Sequence, residues 1–162
     1  MTSSRTVTET PTAPVAPSTA RADADRRLRP IAVGDRGPER EFGPLTVTDI
    51  VRYAGASGDF NPLHHDDAAA KDAGFAGIFS IGMFQAGLLA TYAAEWLGPR
   101  NIRRITTRFQ EQVWPGDVLV CTGEVTSLDA QGEYTVVEVS LTCRRRGGGV
   151  AIAGSAEFSL PA

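Results

Sequence analysis

Apolar and polar positions change rhythm once along this chain, close to residue 100. Residues 80–97, SIGMFQAGLLATYAAEWL, carry no charge before Glu95 and put apolar side chains at every angle of a helical turn. That pattern predicts one long buried helix, ended by Gly98-Pro99. From Ile102 the period falls to two. Ile105, Thr107 and Phe109 alternate with Arg104, Thr106 and Arg108, and Leu119, Cys121, Gly123 and Val125 alternate with Val120, Thr122 and Glu124. Val137, Val139, Leu141 and Cys143 form a third apolar row, and Val150, Ile152, Gly154, Ala156, Phe158 and Leu160 a fourth. Four successive antiparallel strands follow from this alternation. Trp114-Pro115-Gly116-Asp117 has the residue order of a type II turn, Asp129 to Gly132 predicts another turn, and Gly147 to Gly149 separate the last two strands. Ahead of the long helix, Glu41 to Leu45 suit a short strand. Thr46, with Asp49 three positions on, opens a helix through Ile50, Val51, Tyr53 and Ala54 that Gly58 stops. Pro62 disfavours helical angles at Asn61, so Asp59 to Leu63 should cross as ordered, non-helical chain. Asp66 and Asp67 start a short helix through Lys71, where carboxylates favour the positive end of the dipole.

A helix apolar all round and strands apolar on one face bury each other when a curved antiparallel sheet wraps around a long buried central helix. The fold class is therefore α+β, with a hot-dog fold. One such sheet leaves an edge strand open, and pairing two copies covers it, so a dimer is the expected minimum unit.

Composition narrows the partners. The chain has 162 residues, 42% hydrophobic, with a formal charge of −3. No basic field for nucleic acid follows from that charge, and Gly82, Gln85, Gly87 and Glu95 dilute the one apolar run below what a membrane span needs. Residues 1–30 are rich in Ser, Thr, Ala, Pro and Arg and lack aromatics, which predicts a disordered tail before a single domain over residues 31–162. The tail lacks the apolar centre of a secretory signal, making the cytoplasm the default location. Cys121 and Cys143 share strand faces with apolar residues and read as buried free thiols, with no metal site implied.

Chemistry concentrates in residues 57–67, SGDFNPLHHDD, which hold both histidines of the chain. Tyr53-Ala54, the run Ala56-Ser57-Gly58-Asp59-Phe60-Asn61-Pro62-Leu63-His64 with Asp66, then Gly74-Phe75, Gly82-Met83 and Pro115-Gly116-Asp117 together resemble the MaoC-like dehydratases, the (R)-specific enoyl-CoA hydratases of the hot-dog superfamily. The resemblance runs from about Glu41 onward. It implies reversible addition of water to a trans-2-enoyl thioester of coenzyme A or acyl carrier protein, giving an (R)-3-hydroxyacyl thioester, with no metal or redox cofactor. It also implies a homodimer or a heterodimer with a homologous subunit.

Such a reaction needs an activated water at the β carbon, a proton at the α carbon and a partner for the enolate oxygen. The carboxylate of Asp59 can hold and polarise water, and the imidazole of His64 can share that water and exchange a proton near neutral pH. Pro62 stiffens the loop between them, and Asn61 can fold its amide onto nearby backbone. Asp59, His64 and Asn61 are the catalytic candidates, although Asp59 and Asn61 capping a turn beside a polar loop histidine is the competing account. His65 should be structural or exposed. At the start of the long helix, backbone N–H groups lack intrahelical partners, and Gly82 is the candidate donor to the thioester oxygen; close helix packing is its bland alternative. Ser80, Ile81, Met83 and Phe84 are pocket candidates, Ser80 also a possible cap. Ile81 stands where the family usually has histidine, which bears on pocket polarity and leaves room for bulky acyl groups. Arg103, Arg104 and Arg108 are candidates for coenzyme A phosphates, against a simply solvated sheet face. A hot-dog thioesterase and a non-catalytic acyl-binding subunit remain the rival functions.

Overall fold

The computed structural model describes residues 31–162; the tail expected at 1–30 lies outside the described residues. The first strand, β1 (Arg40–Phe42), stops short of the expected Leu45. Leu45 instead turns inward and is buried, its N–H donating to Asp117 O at 2.9 Å while its own carbonyl accepts from Gly116 N–H at 2.7 Å. Helix α1 (Val47–Ser57) begins as its sequence predicts. Thr46 Oγ1 accepts from Asp49 N–H at 3.1 Å and Asp49 Oδ2 accepts from Thr46 N–H at 2.9 Å, so two unpaired donors of the first turn are satisfied reciprocally. The Thr46 hydroxyl and N–H hold the Asp49 carboxyl below the usual carboxylate range. Gly58 ends the helix at φ 74°, a left-handed conformation that favours glycine. Ile50 and Ala54 bury their side chains with Ile81 in a small cluster that the rings of Tyr53 and Phe84, 5.0 Å apart, close over.

A 3-10 turn over Pro62–His64 precedes α2 (Asp67–Asp72), which Asp66 caps through Ala68 and Ala69 N–H. Helix α3 (Gly82–Leu97) starts two residues later than the apolar run, because Ser80 and Ile81 remain outside it. Its buried residues, among them Leu89, Tyr92, Ala93 and Leu97, lie against the sheet. One stripe, Met83, Gly87, Thr91 and Glu95, is exposed. The expectation of burial on every side is corrected accordingly: a single curved sheet reaches only part of the circumference, and every fourth residue faces out.

The sheet comprises β1, β2 (Ile102–Phe109), β3 (Leu119–Gln131), β4 (Tyr134–Arg145) and β5 (Val150–Pro161), in the spatial order β1-β3-β4-β5-β2, all antiparallel. This is the expected hot-dog fold. β3, β4 and β5 succeed one another in space as in sequence, but β2 does not adjoin β3, since residues 110–118 carry the chain from β2 at one edge to β3 near the other. Of the turn expected over Asp129 to Gly132, only Gly132 belongs to the reversal, and β3 runs on to Gln131. Asp129 pairs with Val136 and Gln131 with Tyr134, and Gly132 at φ 69° makes the reversal. Gly123 lets α3 come close, as a Cβ there would stand 2.8 Å from the Trp96 ring. Cys121 and Cys143 oppose each other across β3 and β4 as buried free thiols. A hydrogen bond to Cys143, followed by burial, pushes the Cys121 thiol up. No helix among the described residues is long and apolar enough to cross a membrane.

Candidate active site

Asp59 follows the glycine that ends α1 and begins a chain of local hydrogen bonds. Its Oδ1 accepts from Asn61 N–H at 3.3 Å, and Asn61 Oδ1 accepts from Leu63 N–H at 3.1 Å, capping the turn that carries His64. Asn61 thus shapes the loop through its oxygen. The crossing is ordered, as expected, but only Asp59 to Asn61 are non-helical, because Pro62 pre-sets the first 3-10 position instead of interrupting it. His64 is buried, and its Nδ1 lies 2.8 Å from Phe79 O. A carbonyl can only accept, so Nδ1 carries the proton, and in the neutral ring Nε2 keeps a free lone pair. The Phe79 ring meets the imidazole edge-on at 5.0 Å, which fixes its plane. His65 is exposed, in line with its expected minor role.

Phe79 leads directly into the start of α3. Ile81 occupies the N-cap with no side-chain cap bond, so Ser80 is not the cap and the first N–H groups are left to other partners. A Cβ on Gly82 would stand 3.0 Å from the Phe109 ring, which confirms the close-packing role of that glycine without removing its N–H from consideration. A cavity of about 330 Å³ opens here, lined in part by Phe79, Ser80, Gly82, Gln85, Phe109 and Gln112. Neither Asp59 nor His64 lines it; the imidazole is tied to it through Phe79.

Of the pocket candidates, Ser80 alone faces this cavity. Ile81 packs with Ile50 and Ala54, Phe84 stacks on Tyr53, and Met83 is 59% exposed. Gln85 was not among the candidates, yet it is buried at the cavity wall with its amide between the Ile81 and Gly82 carbonyls and Ser80 Oγ, and assigning the nitrogen to the carbonyls and the oxygen to the hydroxyl satisfies all three. The available signal was a lone amide in an otherwise apolar helix, since a buried amide requires partners. Among the arginines, Arg103 donates to Ser159 Oγ at 3.0 Å and lies over the Tyr134 ring, and Arg104 borders a groove containing Glu138 and Glu157. Arg108 is exposed and has no ion pair among the described residues. The described residues contain no cluster of three metal-ligating side chains.

The sequence matches the family described as "MaoC like domain" over residues 32–144. It is similar to the mitochondrial 3-hydroxyacyl-[acyl-carrier-protein] dehydratase FERN of Solanum lycopersicum, 31% identical over 114 residues that cover 70% of this chain and 68% of that protein. It is also similar to an (R)-specific enoyl-CoA hydratase of Aeromonas caviae, 28% identical over 75% of this chain and 89% of that one. Among solved structures, a chain of the ChsH1-ChsH2 complex from Mycobacterium tuberculosis superposes with a TM-score of 0.69 at 28% identity, covering 80% of this chain and 98% of its own.

Proposed function

Because the chain belongs to the MaoC-like dehydratase family, we propose that it reversibly hydrates trans-2-enoyl thioesters of coenzyme A or acyl carrier protein to (R)-3-hydroxyacyl thioesters. The observation that carries this reading is the bond from His64 Nδ1–H to Phe79 O, which leaves Nε2 free to accept a proton. In the proposed reaction, Asp59 and His64 grip one water. As its oxygen bonds to the β carbon, one water proton passes to this pair, and the double-bond electrons move onto the thioester carbonyl. The Gly82 N–H, at the positive end of α3, meets the oxygen gaining charge. A proton then returns to the α carbon, and the reverse path dehydrates.

A second copy of the chain, or a homologous subunit, is part of the same proposal. Support comes from the outer edge of β2, which pairs with no strand among the described residues, and from Phe109, half exposed, beside the cavity. The likeness to a chain of a two-component complex favours keeping the homologous subunit in view. Arg108 is the arginine best suited to a coenzyme A phosphate, as Glu138 and Glu157 share the groove with Arg104.

Crotonyl-CoA tests the reaction. The purified protein should bleach the conjugated thioester absorbance without releasing thiol, and Asp59→Asn or His64→Gln should each lower kcat by about a hundredfold or more. Thiol release with the double bond intact would mean a thioesterase and overturn the proposal.

A further inference from the structure

Gln85 and Ser80 are both 3% exposed, in a helix start whose other buried neighbours are apolar. The Gln85 amide is assigned by its partners: the orientation that does not set its oxygen against two carbonyls has its nitrogen donating to Ile81 O at 2.5 Å and to Gly82 O at 3.0 Å, and its oxygen accepting from the Ser80 hydroxyl at 2.6 Å. Packing alone does not call for an amide here, because leucine of similar volume would fill the space without polar groups to desolvate. Nor do the two carbonyls need it, since each stands at a helix start where backbone N–H groups of the next turn can serve it. What the amide does reach is one particular peptide unit. The carbonyl of Ile81 and the N–H of Gly82 belong to the same peptide group, and a donor at the oxygen draws electron density from the nitrogen and strengthens its N–H as a donor.

We infer that Gln85 and Ser80 are positioning residues, forming a relay from the Ser80 hydroxyl through the Gln85 amide to the Ile81 carbonyl that orients and polarises the Ile81–Gly82 peptide toward the thioester oxygen. This rests on the hydration reading, in which the Gly82 N–H meets that oxygen. Ile81 O also accepts from Phe84 N–H at 2.9 Å, so the peptide plane is held from the backbone and from the side chain. Such holding matters at a glycine, whose backbone is otherwise the freest in the chain. Each step of the relay points the same way: hydroxyl to amide oxygen, amide N–H to carbonyl, peptide N–H to substrate.

Two variants and two readouts test it. With crotonyl-CoA, Gln85→Leu should lower kcat roughly two- to eightfold, the share expected for weakening one oxyanion donor without deleting it, and leave KM within about twofold. Ser80→Ala should shift kcat in the same direction by less. In parallel, infrared difference spectra of bound butanoyl-CoA labelled with 13C at the carbonyl report the hydrogen bond directly, because this saturated thioester cannot be hydrated. The carbonyl stretch should lie well below its free value in the unaltered protein and move back toward it in both variants. A folded Gln85→Leu protein with unchanged kcat and an unchanged carbonyl stretch would overturn the relay. Should that variant fail to fold, Ser80→Ala decides on the same two measurements. Hydration by the unaltered protein with variants that match it removes the relay alone, whereas no hydration by the unaltered protein removes the underlying reading and the relay with it.

Discussion

Tyr92 illustrates how a single side chain can fit by shape and still be costly. Its ring is buried in the core against Trp96, 6.2 Å between centroids, while its hydroxyl has no hydrogen-bond partner among the described residues. Burial pushes the phenol up to about 12. An unpartnered hydroxyl in the interior costs about 1 kcal/mol or more, so Tyr92→Phe should raise the urea midpoint by an amount equivalent to about 1 kcal/mol. A lowered midpoint would show that the hydroxyl has a partner of value. The burial of Tyr92 follows from the apolar run over residues 80–97, and that much was readable. Met83, expected at the pocket, is exposed, because hydropathy alone does not tell which stripe of an all-apolar helix lacks a facing strand.

At the scale of elements, local chemistry was the most legible. The Thr46–Asp49 pair, Gly58 and the Asp66 cap each satisfy a backbone demand within a few residues, so their sequence spacing determines their roles. Asp49→Ala should destabilise the protein by about 0.5 kcal/mol at neutral pH. Because the folded carboxyl lies below the ordinary aspartate value of 3.8, its contribution is complete above that value and fades as pH falls through the lower, folded one. Urea titrations at about pH 7 and about pH 3 should therefore show the gap between the two proteins shrink in acid. A constant gap would rule out the charge as its source. Less was readable where partners are distant. Sequence spacing gave the loop linking Asp59 and His64, but not the 15-residue reach from His64 to Phe79 O that sets the imidazole tautomer. Likewise Gln85 stood in plain view as a polar residue, while its carbonyl partners emerge only once the helix start is fixed at Gly82.

For the whole molecule, alternation identified the strands and the wrapped helix, whereas the order β1-β3-β4-β5-β2 did not follow from it. Period two says which face a residue takes and nothing about which neighbour it meets. Among the described strands this order leaves β2 with one open edge, and the proposed pairing of copies there should appear in sedimentation equilibrium as twice the chain mass at micromolar concentration. A single-chain mass would reject self-pairing and turn attention to a homologous subunit. That strand order also governs biosynthesis. β2 leaves the ribosome about forty residues before β5, its one neighbour among the described strands, and at ordinary translation speeds waits several seconds for it. During that interval the like charges of Arg103, Arg104 and Arg108 disfavour adhesion of the strand to other unfinished copies of itself.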